Sequence, residues 1–388
     1  MILGINCFLS HSPVELEGKR WGLLSNQASV NMEGNYSKDL LWGKFKNNLK
    51  SLLSPQHGFW GTEQDNMIET GHGTHPRLGL PVFSLYSETR EPTEEMLAAV
   101  DTVLVDIQDV GTRVYTFATT VLYLMQACAR SGRKVIVLDR PNPINGKDVE
   151  GNLLQPECAS FVGPYPLPMR HGLTLGELMT LYNGVYQLRC SLEVVAMTGW
   201  KRNLYFEDTG LPWVLPSPNM PLVETAVVYP GQVALEGTTL SEGRGTTRPF
   251  EIFGAPYFDP DHLKEAIEPQ ALDGAVLREI SFKPTFNKYA GQACRGFQIH
   301  VVNRDVFSPY RASLGILSAI LKLYSGEFRW TDPPYEYVTD KLPIDVILGD
   351  RRIREDLEQG RSVSDMEQEW QAELDNFARL RSRFLLYP

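Results

Sequence analysis

The chain has 388 residues, with 37 Lys+Arg against 47 Asp+Glu for a formal net charge of -10, and is 43% hydrophobic and 22% charged. That composition supports a large buried core and excludes disorder for most of the length, which fits two domains or one elaborated one. The negative balance, with no run of five basic residues, argues against nucleic acid and anionic lipid as partners, because both need a positive stripe.

Strands and helices alternate along the first half. Trp21 to Leu24 reads as a strand ending in Ser25-Asn26-Gln27, and Ser37 is placed to cap a helix carrying Leu40, Leu41, Trp42 and Phe45. Leu49 to Leu53 is a second strand, ending in Ser54-Pro55-Gln56-His57, and Pro81 to Leu85 a third beyond a Gly- and His-rich loop. Pro92-Thr93-Glu94-Glu95 opens a helix with acid in its first turn, where the helix dipole favours it. Thr102 to Ile107 is a fourth strand, Val114 to Ala129 a crossover helix and Lys134 to Leu138 a fifth strand. These runs are continuous in Val, Ile and Leu, as expected of strands covered on both faces. The order predicts an α/β fold with a parallel sheet and right-handed crossovers.

Farther on, Thr174-Leu-Gly-Glu177 is a capping box for a helix reaching about Tyr186, followed by a strand at Leu192 to Ala196. From Asn203 to Arg248 the chain is rich in Gly and Pro with little periodicity, and a soft domain boundary falls near 230–255. Arg278 to Phe282 and Gly296 to Val302 read as strands, and Pro309 to Tyr324 as a helix. The tail from Ile344 is helical, and its charge run (Asp350, Arg351, Arg352, Arg354, Glu355, Asp356) reads as a solvated face.

No stretch approaches the roughly 18 apolar residues of a membrane span. Asn6, His11 and Glu17 interrupt any secretion signal, so the chain as written is expected in the cytoplasm, or in the periplasm or outside if a leader was removed. Cys7, Cys128, Cys158, Cys190 and Cys294 are five scattered cysteines with no C-x-x-C pair, which supports neither a disulfide framework nor a zinc ribbon.

Ligands of an open α/β sheet bind outside the carboxyl ends of its strands. Those ends carry Asn26, Gln56-His57, Asp106-Ile107-Gln108-Asp109 and Asp139-Arg140-Pro141-Asn142, a polar rim of acids, amides, a His and an Arg. No G-x-G-x-x-G follows a strand and no Walker A motif exists, so the sheet does not imply a dinucleotide or ATP, and no cofactor is expected. His57, His72 and His75 fall within nineteen residues, but their spacing does not set two imidazoles on one helix face, and no metal site is expected. Neither a G-x-S-x-G elbow nor an electropositive Cys is present. What remains is the vocabulary of sugar binding and of glycosidic chemistry, which needs an acid for the leaving oxygen and a second carboxylate. Asp106, Asp109, Asp139, Glu236 and Glu242 are the acids available.

Two segments add to this. Asp109-Val-Gly-Thr-Arg113-Val-Tyr115 lies at a strand-to-helix junction, where backbone N–H groups and Arg113 could hold an anion. Glu236 to Phe250 is a Gly-rich polar loop of a length uncommon unless functional, with two Glu and two Arg to meet a sugar acid.

Five ordered motifs carry a resemblance. Ser54-Pro-Gln-His-Gly-Phe-Trp-Gly61, Gly79-Leu-Pro-Val-Phe-Ser-Leu-Tyr86, Val105-Asp-Ile-Gln-Asp-Val-Gly-Thr-Arg113-Val-Tyr115, Leu138-Asp-Arg-Pro-Asn-Pro143 and Leu235-Glu-Gly-Thr to Arg244-Gly-Thr resemble the NamZ-like exo-β-N-acetylmuramidase family, once known only as a domain of unknown function (DUF1343). The match runs from about Leu3 to the C-terminus. It implies a Rossmann-like catalytic domain, here 1–240, followed by a smaller α+β C-terminal domain, here 241–388, with the site in the cleft between them. It also implies release of N-acetylmuramic acid from the non-reducing end of peptidoglycan fragments, a step of bacterial cell-wall recycling. The family motif reads Pro-Glu-His-Gly with its Glu the favoured acid/base, whereas this chain has Gln56, and a neutral amide cannot do general acid–base work.

The resulting candidates are Gln56, His57, Asp106, Asp109 and Glu236 at the reacting bond. Asn26, Gln108, Tyr115, Asp139, Asn142, His171, Asn219 and Glu242 are candidates for the sugar, with Arg113, Arg140 or Arg244 for the lactyl carboxylate. Because of Gln56, a muropeptide-binding relative with impaired or absent hydrolysis is the alternative. A metal-assisted amidase using the loop histidines is a third reading. The substrate is an anion, so a net charge of -10 does not attract it and a local Arg cluster must.

Overall fold

The computed structural model describes residues 1–11 and 16–388. After α1 (Gly4–Ser10) come β1 (Trp21–Ser25), α2 (Ser37–Phe45), β2 (Leu49–Ser54), β3 (Gly73–Thr74), β4 (Pro81–Ser84), α3 (Glu94–Leu97), β5 (Thr102–Asp106), α4 (Phe117–Arg130) and β6 (Lys134–Leu138). β7 (Glu150–Leu153) and β8 (Pro168–Arg170) pair as a separate antiparallel ribbon, and α5 (Leu175–Val185) leads into β9 (Ser191–Val195). One seven-stranded sheet runs β3-β4-β2-β1-β5-β6-β9 and is parallel except for the β3–β4 edge pair. All six strands read from apolar runs in this half lie in it.

The continuity of those runs has a direct cause. Successive strand residues face opposite sides. Leu24, Val103, Val105, Val135 and Val137 enter the core shared with Val121, Leu122 and Met125 of α4. Leu23, Leu104, Ile136 and Leu138 enter a second core with Ile5 and Phe8 of α1 and Leu41 of α2. Both faces are dry, so no polar residue alternates with the apolar ones.

The structure departs from the sequence expectations in four places. Ser37 is the first residue of α2, not its cap: Tyr36 occupies the cap position, and the Ser37 hydroxyl donates to the Asp106 carboxylate. α4 starts at Phe117 instead of Val114, because Arg113 and Thr116 turn their side chains to partners elsewhere in the fold. The aperiodic stretch from Asn203 contains α6 (Val223–Gln232), with Pro230 inside it near the C-terminal end. Gly231 lies so close to Pro309 O that an added Cβ would stand 1.8 Å away, so this helix can only meet its neighbour through a glycine. The tail's charge run is only partly solvated: Asp350 and Arg354 are buried, and Arg354 Nε donates to Asp345 Oδ1 at 2.7 Å.

The remaining chain forms β10 (Ile252–Ala255), α7 (Pro260–Ala266), β11 (Ala275–Phe282), β12 (Cys294–Val301) and α8 (Pro309–Leu323). β10, β12 and β11 make a small antiparallel sheet in that order. Three helices, α9 (Pro343–Leu348), α10 (Arg351–Glu358) and α11 (Val363–Arg381), then carry the chain past α8 and the β7–β8 ribbon. The fold is thus a large, mostly parallel α/β sheet followed by a smaller α+β region. The C-terminal end is fastened at Tyr387, whose hydroxyl donates to Asp139 Oδ2 at 2.6 Å and accepts from Met197 N–H at 3.0 Å.

Tyr387→Phe leaves that Asp139 oxygen and the Met197 N–H short of a partner in the interior. We expect a loss of about 1–3 kcal/mol, read as a lower urea midpoint at unchanged slope. An unchanged midpoint would show that the tail is not held by this bond.

Candidate functional site

The carboxyl ends of β1, β2, β5 and β6 lie on one edge of the sheet, yet the polar residues there divide into two sets. The first set is used up inside the protein. Arg140 Nε and Nη2 donate to Asp106 Oδ1 and Oδ2 at 2.5 and 2.9 Å, and Nη2 also reaches Val30 O at 2.9 Å. Asp139 accepts from Thr174 Oγ1 at 2.7 Å and Gly176 N–H at 2.8 Å, which sets the start of α5. Asn142 Nδ2 donates to Leu173 O at 2.9 Å, and Gln108 Nε2 to Pro141 O at 2.8 Å. Asn26 Nδ2 donates to Pro216 O at 2.9 Å.

Arg113, expected to hold an anion, instead donates to the carbonyls of Asn152, Leu167, Ile347 and Leu348 at 2.8–3.2 Å, and it is buried. Four carbonyls exhaust its Nη groups, and no open face remains for a ligand. Arg140 is closed off in the same way by Asp106. His171 accepts from Leu173 N–H at 3.2 Å through Nδ1, and its Nε2 stands 3.8 Å from Asp109 Oδ2.

The second set meets in a narrow cleft with a free volume of about 30 Å³. Gln56, His57, Tyr115, Asn219, Glu236 and Arg244 all line it, together with Asn66, Thr116, Ser217, Tyr229, Phe250, Tyr335 and Glu336. His57, Phe250 and Glu336 adopt positive φ (70°, 63° and 44°), a costly conformation for residues with a side chain and one that gathers at functional sites.

His57 donates Nδ1–H to Glu63 O at 2.7 Å, which fixes the tautomer and leaves Nε2 as a lone-pair acceptor. Burial, aided by the Arg244 charge, pushes its pKa down to about 4, so it is neutral across the physiological range. Gln56 is held at both ends of its amide: Thr116 Oγ1 donates to Oε1 at 2.6 Å, and Nε2 donates to Glu336 Oε1 at 3.0 Å.

The two glutamates of the cleft differ in their partners. Glu236 accepts from Arg244 Nη2 at 2.6 Å, from Asn66 Nδ2 at 3.0 Å and from Tyr335 OH at 2.7 Å. Burial alone would raise its pKa, but the Arg244 guanidinium and these donors hold it below the usual range, and it stays ionised. Glu336 takes only neutral donors, Gln56 and the Tyr86 hydroxyl at 2.7 Å, and its pKa is raised by burial, with the Glu236 charge adding to the shift. Glu242 stands behind Arg244 at 3.4 Å and accepts from Lys288 Nζ at 2.8 Å, so it supports the cleft's cation.

Sequence reasoning missed Tyr86, Thr116, Tyr335 and Glu336. The signal for the last two was weak: Pro333-Pro334-Tyr335-Glu336-Tyr337 lies in an aperiodic stretch between helices, a place where irregular chain tends to be functional. The loop histidines go to local bonds. His72 bonds Glu88 at 3.1 Å and accepts from Ser84 N–H at 3.0 Å, and His75 accepts from Arg77 and Leu78 N–H at 3.3 and 3.2 Å. Among the described residues no three His, Cys, Asp or Glu side chains gather as a metal-holding group.

Comparison with known proteins gives a consistent picture. The model of the family described as exo-beta-N-acetylmuramidase NamZ matches in two parts, N-terminal over residues 21–224 and C-terminal over 227–387. The peptidoglycan beta-N-acetylmuramidase NamZ of Bacillus subtilis (strain 168) is 42% identical over 384 residues, 99% of this chain and 91% of that protein. A DUF1343 family protein from Bacteroides fragilis NCTC 9343, solved by crystallography, superposes with a TM-score of 0.88 at 33% identity, covering 100% of this chain and 99% of its own. A second from the same organism gives 0.77 at 28% identity, covering 100% and 98%.

Asp109 lies outside the cleft and yields a test of its own. Burial pushes its pKa from 3.8 up to about 7, with the Gly111 N–H bond opposing. The folded state therefore holds a proton there that the unfolded chain has released, and stability falls as pH rises from about 4 to about 7. Asp109→Asn should remove that fall, so the variant is more stable than the parent at pH 8 and gains nothing at pH 4, as read by urea denaturation. Parallel stability curves for the two proteins would refute it.

Proposed function

Because the chain belongs to the NamZ family of exo-β-N-acetylmuramidases, a family of glycosidases, we propose that it releases N-acetylmuramic acid from the non-reducing end of peptidoglycan fragments in the cleft of Gln56, His57, Glu236 and Arg244. The observation that carries this assignment is Glu236, a buried carboxylate kept ionised by Arg244 on the wall of a polar cleft. Breaking a glycosidic bond builds positive charge on the anomeric carbon, and a fixed carboxylate in a water-poor site stabilises that charge without having to reorganise.

The surrounding residues suit a sugar. His57 Nε2 is an acceptor for a hydroxyl, Asn219 and Ser217 add polar groups, and Tyr115, Tyr229 and Phe250 give the cleft aromatic walls. Of the three arginines selected from the sequence only Arg244 lines the cleft, where Glu236, Glu242 and Asn66 already engage it, so a lactyl carboxylate would have to share its guanidinium with them. A carboxyl is also present beside Gln56, so the neutral residue there does not leave the cleft without an acid.

The wild-type chain should liberate the phenol from an aryl β-N-acetylmuramide, and N-acetylmuramic acid from a disaccharide carrying it at the non-reducing end. Glu236→Gln should lower kcat by roughly 10²–10³-fold, the size of loss seen when one electrostatic stabiliser is removed. No release from either substrate by the wild type would sink the substrate class, and full activity of Glu236→Gln would sink the role of Glu236.

A further inference from the structure

We propose that Glu336 is the general acid of this site, giving its proton to the glycosidic oxygen that leaves. The assignment rests on the hydrolase function proposed above and concerns who moves the proton. Gln56 has none to give, and the two ring nitrogens of His57 are a donor tied to Glu63 O and a lone pair. Glu236 is locked as an anion by Arg244. Glu336 is the remaining carboxyl on the cleft wall.

Its placement is built from both sides of the fold. Neighbouring Tyr335 donates to Glu236 Oε2 at 2.7 Å, and Tyr335 and Val338 exchange backbone bonds at 3.0 and 2.9 Å, closing a tight turn around the residue. Tyr337 on the other side stacks under the Arg90 guanidinium at 4.0 Å, with Tyr86 against the same guanidinium at 4.2 Å. The turn holds Glu336 at φ 44°, and its two oxygens take one neutral donor each, Gln56 Nε2 and Tyr86 OH. Among the described residues no cation forms an ion pair with it. A carboxyl 3% exposed and without a counter-ion favours its protonated form, which is the form a general acid needs. The charged and titratable groups facing it are Glu236, Tyr86, Arg90, Tyr335 and Tyr337. Burial raises its proton affinity most and Glu236 adds to that, while the bonds from Tyr86 and Gln56 and the Arg90 charge oppose it without reversing the direction.

The step balances within the site. The Glu336 proton passes to the glycosidic oxygen as its bond to the anomeric carbon breaks, and the bonding pair leaves with that oxygen as a hydroxyl. The anomeric carbon, electron-poor and facing Glu236, is then taken by water. The Glu336 carboxylate accepts the proton that the water loses, which restores the carboxyl.

The test separates a proton donor from a residue that only holds the turn in place. A sugar leaving group needs protonation, whereas dinitrophenolate does not. Glu336→Gln in the full chain should therefore lose roughly 10²–10⁴-fold on the disaccharide, yet stay within about tenfold of wild type on dinitrophenyl β-N-acetylmuramide. The alkaline limb of the kcat/KM profile on the disaccharide should vanish with it. The double variant Gln56→Glu with Glu336→Gln returns a carboxyl to the same bonded pair and should recover at least about tenfold of the lost rate. Equal loss on both substrates with the alkaline limb kept, or no recovery in a double variant that melts at the wild-type temperature, overturns the assignment while wild-type turnover keeps the hydrolase function. Failure of the wild type on both substrates removes that function and this assignment together.

Discussion

The Asp106–Arg140 ion pair is the constraint on which the site edge of the sheet depends. It joins the end of β5 to the loop after β6, and through Val30 O and the Ser37 hydroxyl it also seizes the chain after β1 and the start of α2, with the Ser29 hydroxyl on the Asp106 backbone carbonyl beside it. Both partners are buried, so neither can lose the other without leaving a bare charge in the interior, a defect worth about 3–5 kcal/mol. Three adjacent loops are thereby fixed at one level. The loop after β2, which carries Gln56 and His57, projects beside this plateau and not into it. Charges at the strand ends that look catalytic in sequence are the frame against which the wall of the cleft stands.

This division explains what the sequence could and could not disclose. Strands β1, β2, β5 and β6 were readable to within a residue or so because burial on both faces leaves an uninterrupted apolar run. The capping box at Thr174 was readable because its two bonds lie within four residues. Ser37 misled for the opposite reason. Its hydroxyl is suited to capping the helix beside it, but it found a carboxylate 69 residues away. Arg113 was read as an anion holder from its place at a strand-to-helix junction, but the N–H groups of Gly111, Arg113 and Tyr115 bond inside the protein and the four acceptors of its side chain lie up to 235 residues distant.

The cleft shows the same limit. Gln56, His57, Tyr115, Asn219, Glu236 and Arg244 belong to motifs whose residue types announce sugar chemistry, and they converge. Glu336 does not announce itself, since one acid between two tyrosines in an aperiodic segment looks like any surface turn. What distinguishes it is three-dimensional: among the described residues no cation forms an ion pair with it, where Glu236 has Arg244, and its amide neighbour cannot compete for its proton. The contrast between the two glutamates is set by Arg244, eight residues from Glu236, and by Gln56 and Tyr86, 280 and 250 residues from Glu336.

The bond between Gln56 and Glu336 spans 280 residues. At translation rates of ~5–20 residues per second, its second half reaches the nascent chain on the order of 15–55 s after the first. The large parallel sheet and its ion pair can assemble in that interval, because all of their residues have already been made. Both walls of the cleft cannot. The cleft is therefore completed only when the late segment docks, well after the sheet that supports it has been made.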